Sequence, residues 1–251
     1  MILRRVIEHF RKQEWTAIFL DFLIVVVGVF IGIQVANWNA GRSDARAYAE
    51  ALDRLRGEIA ANLAMLDAAD ADFAAEAPVV QRAFDALETC SDDADTRRAV
   101  NEGLKLINGS NGLEIRSSEL EHLTSDPRLL AQQSAAVRKR LSDLRFVTEL
   151  TERSARYFQD IPLDSRVERI PGLRPGARVE YETTYLGMAY KVSRRPLELV
   201  GPVSAACNNQ DIAAALWLWD RMQSNLPIFG RNMRAEYEAT LKVLDQEGQH
   251  R

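Results

Sequence analysis

Trp15-Thr16-Ala17-Ile18-Phe19-Leu20-Asp21-Phe22-Leu23-Ile24-Val25-Val26-Val27-Gly28-Val29-Phe30-Ile31-Gly32-Ile33-Gln34-Val35-Ala36-Asn37-Trp38 is an apolar stretch in which Asp21 is the single ionisable residue. About 20 apolar residues cross the hydrocarbon core of a bilayer. The stretch therefore predicts one transmembrane helix over residues 15–38. At roughly 1.5 Å rise per residue the two tryptophans lie about 34 Å apart, which sets one indole, Trp15 or Trp38, near each membrane interface. A cleaved signal peptide is the competing reading. The apolar run exceeds the usual length of such a segment, and Gln34-Val35-Ala36 is a poor cleavage site, so a retained anchor is expected.

Working outward, Arg4, Arg5, Arg11 and Lys12 precede the span, against Arg42 and Arg46 after it. Basic residues favour the cytoplasmic side, so the N-terminus is expected inside and the remainder on the far side of the membrane. Within residues 1–14, Ile2, Leu3, Val6, Ile7 and Phe10 recur at helical spacing among charged neighbours. That pattern fits a short basic amphipathic helix on the inner leaflet.

Asp21 admits two readings. It lies close enough to Trp15 to reach the headgroup layer, where a carboxylate costs little. Alternatively it belongs to a helical stripe with Val25, Gly28, Gly32, Val35 and Asn39, since these positions share one face at about 100° per residue. Gly28 and Gly32 form a G-x-x-x-G pair, which lets two helix backbones approach, and a polar side chain on that stripe can bond across the contact. Asp21, Gly28, Gly32 and Asn39 are therefore candidates for helix association with a second copy or another membrane protein.

The whole chain is 47% apolar and 27% charged, the balance of an ordinary folded domain. Four basic and three acidic side chains fall in residues 1–39, so the net −4 of the chain becomes −5 beyond them. A mildly acidic domain argues against nucleic-acid binding, which needs a basic surface with stacking aromatics. Cys90 and Cys207 are the two cysteines, both on the side expected to be oxidising. They form a candidate disulfide, with a pair of buried free thiols as the alternative.

Beyond the span, Leu52, Leu55, Ile59, Leu63, Leu66, Phe73, Val80, Phe84 and Leu87 continue a helical period, so the transmembrane helix is expected to run into a long amphipathic stalk, with a kink or restart at Pro78. Further helices are expected over 96–107, 113–123, 127–158 and from 209 to 244, the last kinked near Pro227, with a turn at Asn108-Gly-Ser-Asn-Gly112. Residues 160–207 hold five of the eight prolines and break the pattern. Within them 178–185 alternates like a strand, whereas 186–190 fits a strand or a turn of helix. The fold class expected is mainly all-α: a transmembrane helix continuing into a periplasmic helical bundle (residues 39–251) with one irregular Pro/Gly-rich insert at 160–207.

The chain has three histidines, and H-E-x-x-H, G-x-S-x-G, P-loop and G-x-G-x-x-G patterns do not occur. Zinc hydrolysis, nucleophile-elbow catalysis and nucleotide binding thus lack their usual scaffolds. His122, beside Glu119 and Glu121, reads as a surface residue. No catalytic residue, metal ligand or cofactor is expected. The insert carries Arg174, Arg178, Arg194 and Arg195 among tyrosines, which gives a candidate contact for an anion or a partner surface; neighbouring glutamates could equally pair with them. Trp217 and Trp219, two apart, cannot both face one core stripe.

Residues Trp15 to Asn39, and above all Val25-Val-Val-Gly-Val-Phe-Ile-Gly-Ile-Gln-Val-Ala-Asn-Trp-Asn39, resemble the N-terminal signature of a family of uncharacterised bacterial membrane proteins with a single anchor and a helical periplasmic domain. The likeness extends through the stalk to about Leu66 and loosely to Glu119–Leu130, while Ala40 replaces the acidic residue that commonly follows the Trp-Asn pair. It implies location and fold and carries no activity. The expectation is a non-enzymatic interaction or scaffold module in the membrane, partnered by itself or another membrane protein; a ligand-sensing subunit and a carboxylate hydrolase of the envelope are the alternatives.

Overall fold

The computed structural model describes residues 15–107, 109–185 and 188–249; the expected amphipathic leader and Asn108 of the turn cluster lie outside them. Helix α1 (Trp15–Thr89) runs unbroken for 75 residues and passes through Pro78 without a restart. From Phe19 to Trp38 its side chains are all exposed, and it is the one helix among the described residues long and apolar enough to cross a membrane. Burial begins at Tyr48 and then follows the expected period through Leu52, Leu55, Ile59 and Leu66 to Val80 and Leu87.

Two cores form along this one rod. Around residues 48–66 pack α3 (Ser118–Ser125), α4 (Pro127–Gln132), α5 (Ala135–Asp164) and α8 (Leu226–Gln249), with Leu123, Leu141, Leu144, Met233 and Leu244 fully buried. Around residues 80–87 pack α2 (Ala94–Leu106), the short α6 (Val203–Ala206) and α7 (Gln210–Gln223), centred on Leu104, Leu216 and Trp219. Gly103 lets α1 and α2 touch: a Cβ there would sit 2.4 Å from the Ala83 Cβ, a contact no side chain tolerates. The architecture is mainly α-helical, as the periodicity predicts.

Several boundaries differ from the sequence reading. Residues 113–117 are not helical, because Asn62 on α1 clamps the Arg116 backbone from both sides, donating to its carbonyl at 2.8 Å and accepting from its N–H at 2.9 Å. Helix α3 therefore starts at Ser118, and its first turn is capped from outside: Glu58 on α1 accepts from the backbone of Glu119 at 2.9 Å and of Leu120 at 3.2 Å. The single helix expected over 127–158 is two. Gln133 turns inward to donate to the Leu123 carbonyl at 2.7 Å, and Ser134 caps α5 through the Val137 N–H at 3.3 Å. Leu150, which continues the apolar period of Leu141, Leu144 and Val147 along α5, is 49% exposed. At the C-terminal end, Ser224 and Asn225 interrupt the helix, so Pro227 stands in the first turn of α8, where a missing N–H costs nothing.

The insert is shorter and more regular than expected. Helix α5 continues to Asp164 with Pro162 buried inside it, and the chain then passes through a 3-10 turn (Val167–Arg169). Strands β1 (Leu173–Pro175) and β4 (Leu197–Leu199) pair antiparallel with Leu173 opposite Leu199. Between them the longer β2 (Val179–Tyr185) and β3 (Met188–Arg194) form an antiparallel arm, with Val179 opposite Arg194. Alternation marked β2; Met188 to Tyr190 are strand rather than helix, and residues 186 and 187 lie outside the described set. The base ribbon is tied to α2, where Asn101 accepts from the Leu199 N–H at 2.9 Å and Arg97 donates to the carbonyls of Leu199 and Gly201, each at 2.9 Å.

Candidate functional site

The arm, α1, α2 and α7 enclose a cleft of about 560 Å³, within the range of roughly 300–1,000 Å³ typical of small-molecule sites. Its floor is set by a buried ring. Trp219 is 1% exposed and donates its indole N–H to the Gly109 carbonyl at 3.1 Å, which fixes the loop after α2. Ser110 in that loop donates to the Gln159 carbonyl at 2.7 Å, and the Asn111 N–H donates to the buried Gln223 amide oxygen at 3.0 Å. Loop and α7 are thus locked together. Asn111 is thereby held with its side-chain amide donating to the Glu76 carboxylate at 2.8 Å.

Glu76 stands on the α1 wall, and burial raises its carboxyl above the ordinary value of 4.5; the Asn111 bond opposes that shift and nearby Asp72 adds to it. Two ion pairs lie at the rim or just outside. Lys105 meets Glu102 at 2.5 Å, and Glu182 meets Lys191 at 3.9 Å. Tyr181 and Arg194 enter from the arm, with Arg195 and Pro196 at its root. Arg195 donates to the Gly176 carbonyl at 2.9 Å, and Arg194 makes no ion pair among the described residues. Chemically, the cleft holds one partly buried carboxylate with an amide donor, two guanidinium groups without a carboxylate among the described residues, one of them on a backbone carbonyl, and aromatic and aliphatic surface.

The four arginines singled out from the sequence do not converge. Arg194 and Arg195 reach the cleft, Arg174 pairs with Glu198 across the base ribbon at 2.8 Å, and Arg178 lies exposed just before β2. Cys90 and Cys207 are joined in a disulfide with Cα atoms 5.5 Å apart, tying the end of α1 to the end of α6. Asp92 reinforces that junction by accepting from the Ser204 N–H at 2.9 Å and its hydroxyl at 2.7 Å. Of the two tryptophans, Trp219 is the core residue, and Trp217 is half exposed beneath the Arg221 guanidinium at 5.0 Å.

On the apolar half of α1, Asp21, Gly28, Gly32 and Asn39 are all exposed, and open space surrounds both glycines. Trp38 is 61% exposed with the Arg42 guanidinium 5.0 Å from its ring, an arrangement suited to an interface between apolar and aqueous phases. Trp15 opens the helix. Glu76, Asn111 and Gln223 were not visible as site residues in the sequence. Glu76 is one of many acidic residues on the stalk, and the turn cluster around Asn111 marked a bend without pointing to its partner.

No family model matches the chain, and neither a curated protein nor a solved structure does. Function therefore rests on the chain's own geometry.

Proposed function

We propose that this protein is a single-pass inner-membrane protein, N-terminus cytoplasmic and helical domain periplasmic, which acts as an interaction or scaffold module rather than an enzyme. The observation that carries this reading is α1 itself, whose exposed apolar half and core-forming half are one continuous helix. A rod that belongs to both phases couples any association of the membrane segment to the arrangement of the domain outside. The open Gly28 and Gly32 face supplies a surface for such association. Chemical cross-linking of the full-length protein in native membranes tests it. Cross-linked dimers or adducts that Gly28→Leu and Gly32→Leu weaken, with membrane insertion unchanged, support the reading. A monomer that cross-links to nothing overturns it.

The cleft favours a second reading, a ligand-sensing subunit that signals through a partner. Its volume and the partly buried Glu76 support a site for a small molecule.

A further inference from the structure

The cleft's own charge pattern narrows what it would hold. Among its acidic residues, Glu102 is neutralised by Lys105 and Glu182 faces Lys191, whereas Glu76 has an amide for a partner and no cation. Among its basic residues, Lys105 is paired, whereas neither Arg194 nor Arg195 meets a carboxylate among the described residues, and Arg195 donates instead to the Gly176 carbonyl. Glu76 on α1 thus has no counter-charge among the described residues, and neither does Arg194 at the end of β3 nor Arg195 beside it; Arg195 is already engaged by a backbone carbonyl, which leaves Glu76 and Arg194 to a ligand. Tyr181, Val79 and Leu106 surround them.

A ligand that completes both must carry a cation and an anion at once. We propose that the cleft binds a small zwitterion, such as a short peptide, with a free ammonium group that donates to Glu76 and a free carboxylate that accepts from Arg194. Ammonium and guanidinium contacts to carboxylates are the strong hydrogen bonds of proteins, and each sharpens when water is partly excluded. A planar guanidinium fits a carboxylate through two parallel bonds, which suits Arg194 to the acidic end. The β2–β3 arm closes one side of the site and rests on a two-stranded ribbon, a structure of marginal independent stability. Bound ligand would therefore order the arm as well as fill the cleft. This inference rests on the second reading above, that the cleft takes a ligand.

The test uses full-length protein in detergent micelles, with L-alanyl-L-alanine, its N-acetyl derivative and its C-terminal amide as probes, followed by thermal shift and titration calorimetry. The unblocked dipeptide is expected to raise Tm in proportion to its occupancy. Each blocked form is expected to bind about tenfold more weakly or worse, because each loses one charge-assisted contact. Glu76→Gln should remove the discrimination against N-acetylation and Arg194→Gln that against the amide, while both variants keep the helical circular dichroism of the parent. Equal binding of all three probes keeps the ligand site and overturns the zwitterion. Absence of binding by any probe at millimolar concentration overturns both.

Discussion

The two cores that share α1 are built on different terms. The one nearer the apolar span consists of long helices, α5 and α8 against residues 48–66, and each brings many apolar positions to the contact. Polar groups also pair there across elements. Asn62, 2% exposed, reaches both Arg116 and the Tyr237 hydroxyl, and Arg140 on α5 pairs with Glu236 on α8. Burial pushes the Tyr237 hydroxyl far above its ordinary range, so it stays a neutral partner of Asn62. The distal core sets α2 and α7 against residues 80–87 and adds short pieces, strands of three residues and a helix of four. It adds a covalent tie, Cys90–Cys207, to the side-chain bonds to backbone that both cores use, from Arg97 and Asn101 here and from Asn62 and Gln133 in the near core. The lesson is that long helical faces are held mainly by burial, whereas short elements in either core are tied by side-chain bonds to backbone or by the disulfide.

The largest test of that contrast is removal of the disulfide. The bridge closes 117 residues, a loop worth about 5 kcal/mol in the chain-entropy account. Reduction, or the double change Cys90→Ser and Cys207→Ser, is expected to lower stability by up to about that amount. Hydrogen exchange should show the loss concentrated in residues 203–223 and slight in 137–155. A uniform loss over both regions would mean that the two cores unfold as one.

Next in size is a cavity in the near core. Leu141 is fully buried, so Leu141→Ala is expected to cost about 2–5 kcal/mol in denaturant unfolding. Protection near Cys90 should survive if the cores are independent. Asn62→Ala follows, at about 1–3 kcal/mol, because it strands the buried Tyr237 hydroxyl and leaves both part-buried backbone groups of Arg116 without their partner. Its signature is faster exchange over 113–117 before any global loss.

The smallest effect belongs to the cleft. Glu76 holds its proton more tightly when folded than when unfolded, so its contribution is present below the ordinary carboxyl value of 4.5 and lost as pH rises through the raised one. Glu76→Gln should therefore match the parent in acid and gain slightly in Tm over it towards neutrality. A gain confined to acid pH would contradict burial as the cause.

Much of this was legible from periodicity. Leu52, Leu55, Ile59 and Leu66 were placed on the buried face of the stalk, and there they are. Errors arose where a long-range contact overrode local preference. The helix expected from Leu113 begins at Ser118 because Asn62 holds Arg116 extended, and the helix expected through 133 breaks because Gln133 finds the Leu123 carbonyl. Tyr48, fully buried, precedes the first residue assigned to the stalk's apolar face.

By itself the sequence determined the apolar span, the helical class and which face of each long helix is buried, because hydrophobic period and side-chain volume act within a few turns. The tertiary structure alone decided which faces meet. Glu58 caps a helix 60 residues away, and Glu76, Asn111 and Arg194 come to one cleft from three separate elements. A buried face is specified locally, but its partner is chosen by the packing of the whole chain.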